Sequence, residues 1–151
     1  AANILVGLLV GTAFIYGEAT VFQTVSLVSL TLYPICFGTI GGNVLRDILS
    51  IEGDSKIGYP TLPQKIGNKR SMRVAAFFFI VTATLAPLPF FFQFFGIYYL
   101  PLILLWSILL FYSSIRLITS APISENVRKY ERLITMSMTL LLLSLIIEAF
   151  V

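Results

Sequence analysis

The sequence predicts an all-α, polytopic transmembrane bundle of about five spanning helices. Three observations point to it. The 151 residues are 58% hydrophobic and 11% charged, whereas an ordinary soluble domain carries about 25% charged residues. The apolar residues fall into five runs, and a spanning helix needs about 20 mostly apolar residues. The polar residues gather in two stretches between those runs, and the denser stretch, residues 43–66, holds three of the seven acidic side chains. This length accommodates one transmembrane domain over residues 1–151.

Residues 1–16 read as the first helix. They are somewhat short for a full span and lack the basic leader of a secretory signal, and the first residue is not Met, so the chain is expected to begin part-way through something larger. Gly7 and Gly11 make a small-xxx-small step of the kind that lets helices approach closely. A buried amide in lipid needs a partner, and for Asn3 two are open: a helix–helix hydrogen bond or a place in a polar cavity. The second helix spans residues 21–47, with Pro34 placed to bend it and Gly38, Gly41 and Gly42 loosening it before its acidic end. Cys36, the one cysteine, excludes an internal disulfide and reads as a small packing residue.

The polar connection over residues 50–72 is too charged to enter lipid and too long for an idle turn. Glycines and prolines punctuate it, so residues 48–72 are expected to form an ordered cap loop with one short helical turn at 61–66. Residues 74–95 make the third helix, kinked by Pro87 and Pro89, and residues 97–118 the fourth, with Pro101 tolerated in its first turn. The aromatic residues from Phe90 to Tyr99 look like an interfacial belt. Trp106 and Tyr112 are better placed to line a chain cavity. A second polar loop, residues 119–132, leads into a fifth helix at 133–151.

If the second helix continues through the acidic stretch, Asn43, Asp47, Ser50 and Asp54, spaced four, three and four apart, project from one face. Such oxygen ligands suit a hard cation. Magnesium favours one or two carboxylates and leaves its other positions to water and substrate phosphate oxygens, so the face suits a metal–diphosphate complex. The plainer account is a solvated helix end and loop. Arg46 and Lys56 sit beside the acidic face and are candidate diphosphate contacts, whereas Lys69, Arg70 and Arg73 read as orienting charges.

The run Glu52-Gly53-Asp54, Lys56, Gly58 and Thr61-Leu62-Pro63, with Asp47 before it, resembles the second aspartate-rich motif of the UbiA family of membrane prenyltransferases. Within that family it is most similar to the archaeal enzymes that add a second geranylgeranyl chain to geranylgeranylglyceryl phosphate. Gly42-Asn43 stands where the family commonly has Arg-Glu, and Ser50 where it has the first aspartate of an Asp-x-x-x-Asp pair. The resemblance implies a Mg2+-dependent transfer of an isoprenoid chain from its diphosphate to a lipid or aromatic acceptor. It assigns Asp47 and Asp54 as catalytic metal ligands, with Glu52 as a further ligand, and Arg46, Lys56, Asn43 and Asn3 as diphosphate-binding residues. It also implies a first aspartate-rich motif on earlier helices, which this chain does not supply.

All ten Lys and Arg residues fall in or beside the loops after the second and fourth helices, and Glu18 and Glu148 mark the other side. The positive-inside rule then makes both polar loops cytoplasmic in a multi-pass cell-membrane protein. The expected partners are prenyl diphosphate, a lipid acceptor and membrane lipids, with no nucleic acid. Two other classes remain: a catalytically inactive subunit or scaffold, suggested by Ser50, and a small transporter, disfavoured because the third to fifth helices carry almost no polar residues at mid-membrane.

Overall fold

A computed structural model describes residues 2–58 and 60–150. The described residues form eight helices: α1 (Ala2–Phe22), α2 (Leu27–Leu32), α3 (Ile35–Ile57), α4 (Leu62–Ile66), α5 (Asn68–Leu85), α6 (Leu88–Phe91), α7 (Tyr99–Thr119) and α8 (Ser124–Phe150). Five stretches are long and apolar enough to cross a membrane, namely α1, α2 with α3, α5 with α6, α7 and α8. The chain is a multi-pass membrane protein.

The five-helix count holds, and the boundaries move where helix chemistry overrides local polarity. The first helix runs past Tyr16 to Phe22, and the chain turns at Gln23, whose φ is +54°, before Ser26 caps α2 by accepting from the Val28 N–H at 3.1 Å. Pro34 does bend the second span, separating α2 from α3. The third span starts at Asn68 rather than 74, so Lys69, Arg70 and Arg73 lie on its first turns. The fifth begins at Ser124 rather than 133, so Arg128, Lys129 and Arg132 are helical and not in a loop. The stretch expected as a cap loop over 48–72 is mostly helical, with α4 supplying the short turn anticipated at 61–66. Tyr59 lies outside the described residues.

Helix α3 packs along α5, α5 along α7, α7 along α8, and α8 returns to α3 over a shorter contact; α1 lies outside this ring against α3. Two close approaches set the geometry. Gly7 and Gly11 are the buried residues of α1. A Cβ at Gly7 would collide with Ile40, and one at Gly11 would lie 2.9 Å from Cys36 Cβ and 3.0 Å from the Tyr33 ring. The small-xxx-small step is therefore a packing contact, and Cys36, fully buried, is the small residue it packs on. On the other side of α3, a Cβ at Gly41 would lie 3.0 Å from the Ala75 carbonyl oxygen and 3.1 Å from the Phe79 ring.

Polar groups tie the helix ends. Lys69 donates to the Ile118 and Ser120 carbonyls at 2.7 and 2.6 Å, capping the C-terminal end of α7 with a cation where the helix dipole favours one. At the opposite end, Glu148 accepts from the Gly96 N–H at 2.6 Å, and the buried Tyr99 hydroxyl donates to Ala86 O at 2.8 Å. Phe91, Phe92 and Tyr98 are exposed beside them, as an interfacial belt requires.

Because Gly11 has no room for a side chain and Gly17 of the same helix has open space around it, the two positions should respond oppositely. Gly11→Val is expected to lower unfolding stability in micelles by about 1–3 kcal/mol through overpacking. Gly17→Ala should leave it unchanged or raise it by up to about 1 kcal/mol.

Candidate active site

The site is built on the far half of α3. The helix does not stop at Asp47 but continues through the acidic stretch to Ile57, so the condition for a shared face is met. It ends at Gly58, whose φ of +74° is the left-handed cap that closes a helix, its N–H reaching the Asp54 and Ser55 carbonyls. Leu62-Pro63 opens α4, with the Thr61 N–H donating to Gln64 Oε1 at 3.3 Å. Gln64 also donates to Ser55 Oγ at 3.1 Å, which folds α4 back against the end of α3.

At about 100° per residue, Asn43, Asp47, Ser50 and Asp54 lie within about 60° of one another around the axis. Asp47 accepts from Asn3 Nδ2 at 2.7 Å. Of the two possibilities open for Asn3 both are realised, since this helix–helix hydrogen bond sits in a polar pocket of about 160 Å³ lined by Ala2, Asn3, Asp47, Pro60, Thr61, Leu62 and Lys65. One turn further, Ser50 donates to Asp54 Oδ2 at 2.6 Å. Each carboxylate thus has one oxygen held by a neutral donor and a second oxygen free of hydrogen bonds among the described residues.

The remaining candidates divide. Glu52 and Lys56 are exposed, and each lies about 140–200° around α3 from Asp47 and Asp54, on the opposite side of the helix. Arg46 lies beside the face, and its Nε meets Glu131 Oε1 of α8 at 3.5 Å. Glu131 also accepts from Thr135 Oγ1 at 3.2 Å. Asn43 lines a different cavity, shared with Arg46, Trp106 and Thr135, while Tyr112 is half-exposed on the outer surface of α7. Lys65 is the basic side chain that shares the Asp47 pocket. Sequence spacing missed it because Gly58 and the α4 turn bring it back across the end of α3. The signal that could have found it is Thr61-Leu62-Pro63, a helix start that reverses the chain direction.

Among the described residues no three His, Cys, Asp or Glu side chains converge on one point. Asp47 and Asp54 are separated by about 10 Å of helix rise, which is too far to share one ion directly. A magnesium ion needs only one or two carboxylates when phosphate oxygens complete its shell, so the two positions fit separate ions, or the two ends of one metal–diphosphate assembly.

The UbiA prenyltransferase family model matches residues 1–144. The chain is 32% identical over 147 residues, 97% of its length, to a digeranylgeranylglyceryl phosphate synthase of Methanocaldococcus jannaschii, covering 51% of that protein. Its similarity to the synthase of the same name from Natronomonas pharaonis is 37% identity over 98 residues, 65% of the chain and 35% of that relative. A solved structure described as "Structural and mechanistic insights into the biosynthesis of Digeranylgeranylglyceryl phosphate synthase in membranes" superposes with a TM-score of 0.87 at 30% identity, over 97% of this chain and 52% of that one. The chain therefore spans about half the length of these relatives. The match over most of its residues, together with the fold it adopts, establishes that the chain belongs to the UbiA prenyltransferase family.

Proposed function

We propose that the protein acts in the Mg2+-dependent transfer of a geranylgeranyl chain from its diphosphate to the free hydroxyl of geranylgeranylglyceryl phosphate. The observation that carries this is the continuation of α3 to Ile57, which sets Asp47, Ser50 and Asp54 on one polar face at the end of an apolar bundle. The names of the relatives supply the lipid class. In the step, the acceptor oxygen bonds to the allylic carbon, that carbon's bond to the diphosphate oxygen breaks, the diphosphate leaves with the electron pair, and the hydroxyl proton passes to a base. This chain has no His, so a base supplied by its own residues would be a carboxylate or a tyrosine.

Bound magnesium would supply charge neutralisation of the departing diphosphate. The residues of this chain position it. Asp47 and Asp54 would hold it, and the Asn3 amide holds the Asp47 carboxylate in one orientation, as a donor behind a ligand does. Lys65, in the same pocket, and Arg46, beside it, meet diphosphate oxygens. Glu52 and Lys56 point away and are left out of the set. Ser50 serves Asp54 as a hydrogen-bond donor in place of a second carboxylate. A partner half carrying the first aspartate-rich motif, from the same polypeptide or another, would clamp the diphosphate from the other side. The acidic face lies on the cytoplasmic side, a reading supported by the ten basic residues gathered at one end of the bundle.

Two measurements check this. In equilibrium binding of geranylgeranyl diphosphate with magnesium, Asp47→Ala and Asp54→Ala are each expected to weaken affinity at least tenfold. Glu52→Gln and Lys56→Gln should stay within about twofold, as exposed charges do. Equal affinity across all four variants would contradict the assignment. For topology, a cysteine replacing Ser55 should react with a membrane-impermeant maleimide only from the cytoplasmic side, and one replacing Gly96 only from the outer side.

A further inference from the structure

Three cations at the start of α8 stand outside the site described above. Helix α8 has 27 residues and at about 1.5 Å each runs about 40 Å, roughly 10 Å more than the hydrocarbon core of a bilayer. Near its far end Glu148 accepts from the Gly96 N–H in the turn before α7, which sets that end at one membrane interface. Counting about 20 residues back from Glu148 reaches Arg128, so the first turns of α8 lie at the level of lipid headgroups, at the end of the bundle that carries Asp47. Arg128, Lys129 and Arg132 are exposed there and, with Glu125, line a surface depression of about 280 Å³. Among the described residues the one ion pair is Arg46–Glu131, so none of these three cations is held by a carboxylate.

Helical geometry decides which way they face. At about 100° per residue the three lie within about 100° of one another, on the side of α8 opposite its buried residues Val127, Tyr130, Ile134 and Leu141. The same side continues along the helix as Met136, Leu143, Ile146 and Phe150, all of them exposed. One strip of α8 is therefore cationic at headgroup level and apolar through the hydrocarbon layer, which is the profile of a lipid molecule lying along it. Arg132, the deepest of the three, can lay its stem on the apolar surface and keep its guanidinium at phosphate level. A packing protein helix would match the apolar part, but it would have to bring acidic residues to a level where lipid phosphates already stand.

We propose that this strip binds an anionic phospholipid of the surrounding leaflet, with Arg128, Lys129 and Arg132 around its phosphate and its chains along Met136, Leu143 and Ile146. Each cation near an anionic membrane surface adds about fivefold to such an affinity. Arginine suits the contact because its planar guanidinium pairs two donors with two phosphate oxygens. None of these residues lines the Asp47 pocket, so the proposal is independent of the transfer reaction.

Native mass spectrometry of the 151-residue chain released from neutral detergent micelles reads the first bound lipid directly. With lipids of matched chains, phosphatidylglycerol is expected to bind at least tenfold more tightly than phosphatidylcholine, about the gain that two or three cations supply. Excess sn-glycerol 3-phosphate, which has the phosphate but no chains, should not displace it. Arg128→Gln, Lys129→Gln and Arg132→Gln together should remove the preference, and Arg128→Gln alone should weaken phosphatidylglycerol about fivefold. Arg70→Gln with Arg73→Gln, which removes exposed charge from α5 at the same end of the bundle, should keep the preference. Circular dichroism through a thermal transition records that each variant is folded. Equal affinity for the two lipids in the parent chain overturns the proposal and leaves the strip to a neighbouring helix. A preference that survives in the folded α8 variants, is lost equally in the α5 variant, or yields to glycerol phosphate overturns it as well.

Discussion

The structure depends on one helix being two things at once. α3 is apolar and small-faced for its first half, where Cys36, Ile40 and Gly41 let α1 and α5 approach closely, and acidic for its second half, where Asp47 and Asp54 reach polar surroundings. A single unbroken helix converts the packing of the first half into the placement of the second. Any rotation of α3 that relieved the contacts at Gly7, Gly11 or Gly41 would also turn the carboxylates, so the tight glycine seams act as the angular reference for the site.

The Asn3–Asp47 hydrogen bond ties the packed seam of α1 to the acidic half of α3. The α1 seam brings Asn3 to the level of the carboxylate, and the amide then fixes which Asp47 oxygen remains available. A neutral donor is suited to this role because it orients the carboxylate without cancelling the charge that a cation needs. Arg46 is treated differently, held through Nε alone by Glu131, which keeps its guanidinium extended from α3 toward α8 while leaving most of its donors open.

Much of this was legible in the residues. Five apolar runs, Pro34 as a bend, the glycine step at Gly7 and Gly11, and the four-three-four spacing of the acidic face all follow from periodicity and from the cost of polar groups in lipid. What was not legible has a common cause: polarity was taken as a sign of loop. Residues 48–57, 68–73 and 124–132 are charged and yet helical, because helices leaving a membrane continue into water when capped, as α3 is at Gly58, or when their first turns carry useful cations, as α5 does at Lys69. Lys65 was hidden for another reason, since its entry into the Asp47 pocket depends on a chain reversal, and the continued helix turns Lys56, read as beside the acidic face, and Glu52, a ligand by the family resemblance, away from Asp47 and Asp54.

On the proposed function, the Asp47 side of α3 would carry a divalent cation together with a diphosphate. Manganese in place of magnesium makes the pair visible by electron paramagnetic resonance. With geranylgeranyl diphosphate present, the bound-manganese signal is expected to carry phosphorus hyperfine coupling, and Asp47→Asn should return most of the metal to the free aqueous form. The same bound signal and the same coupling in the Asp47→Asn protein would contradict the account.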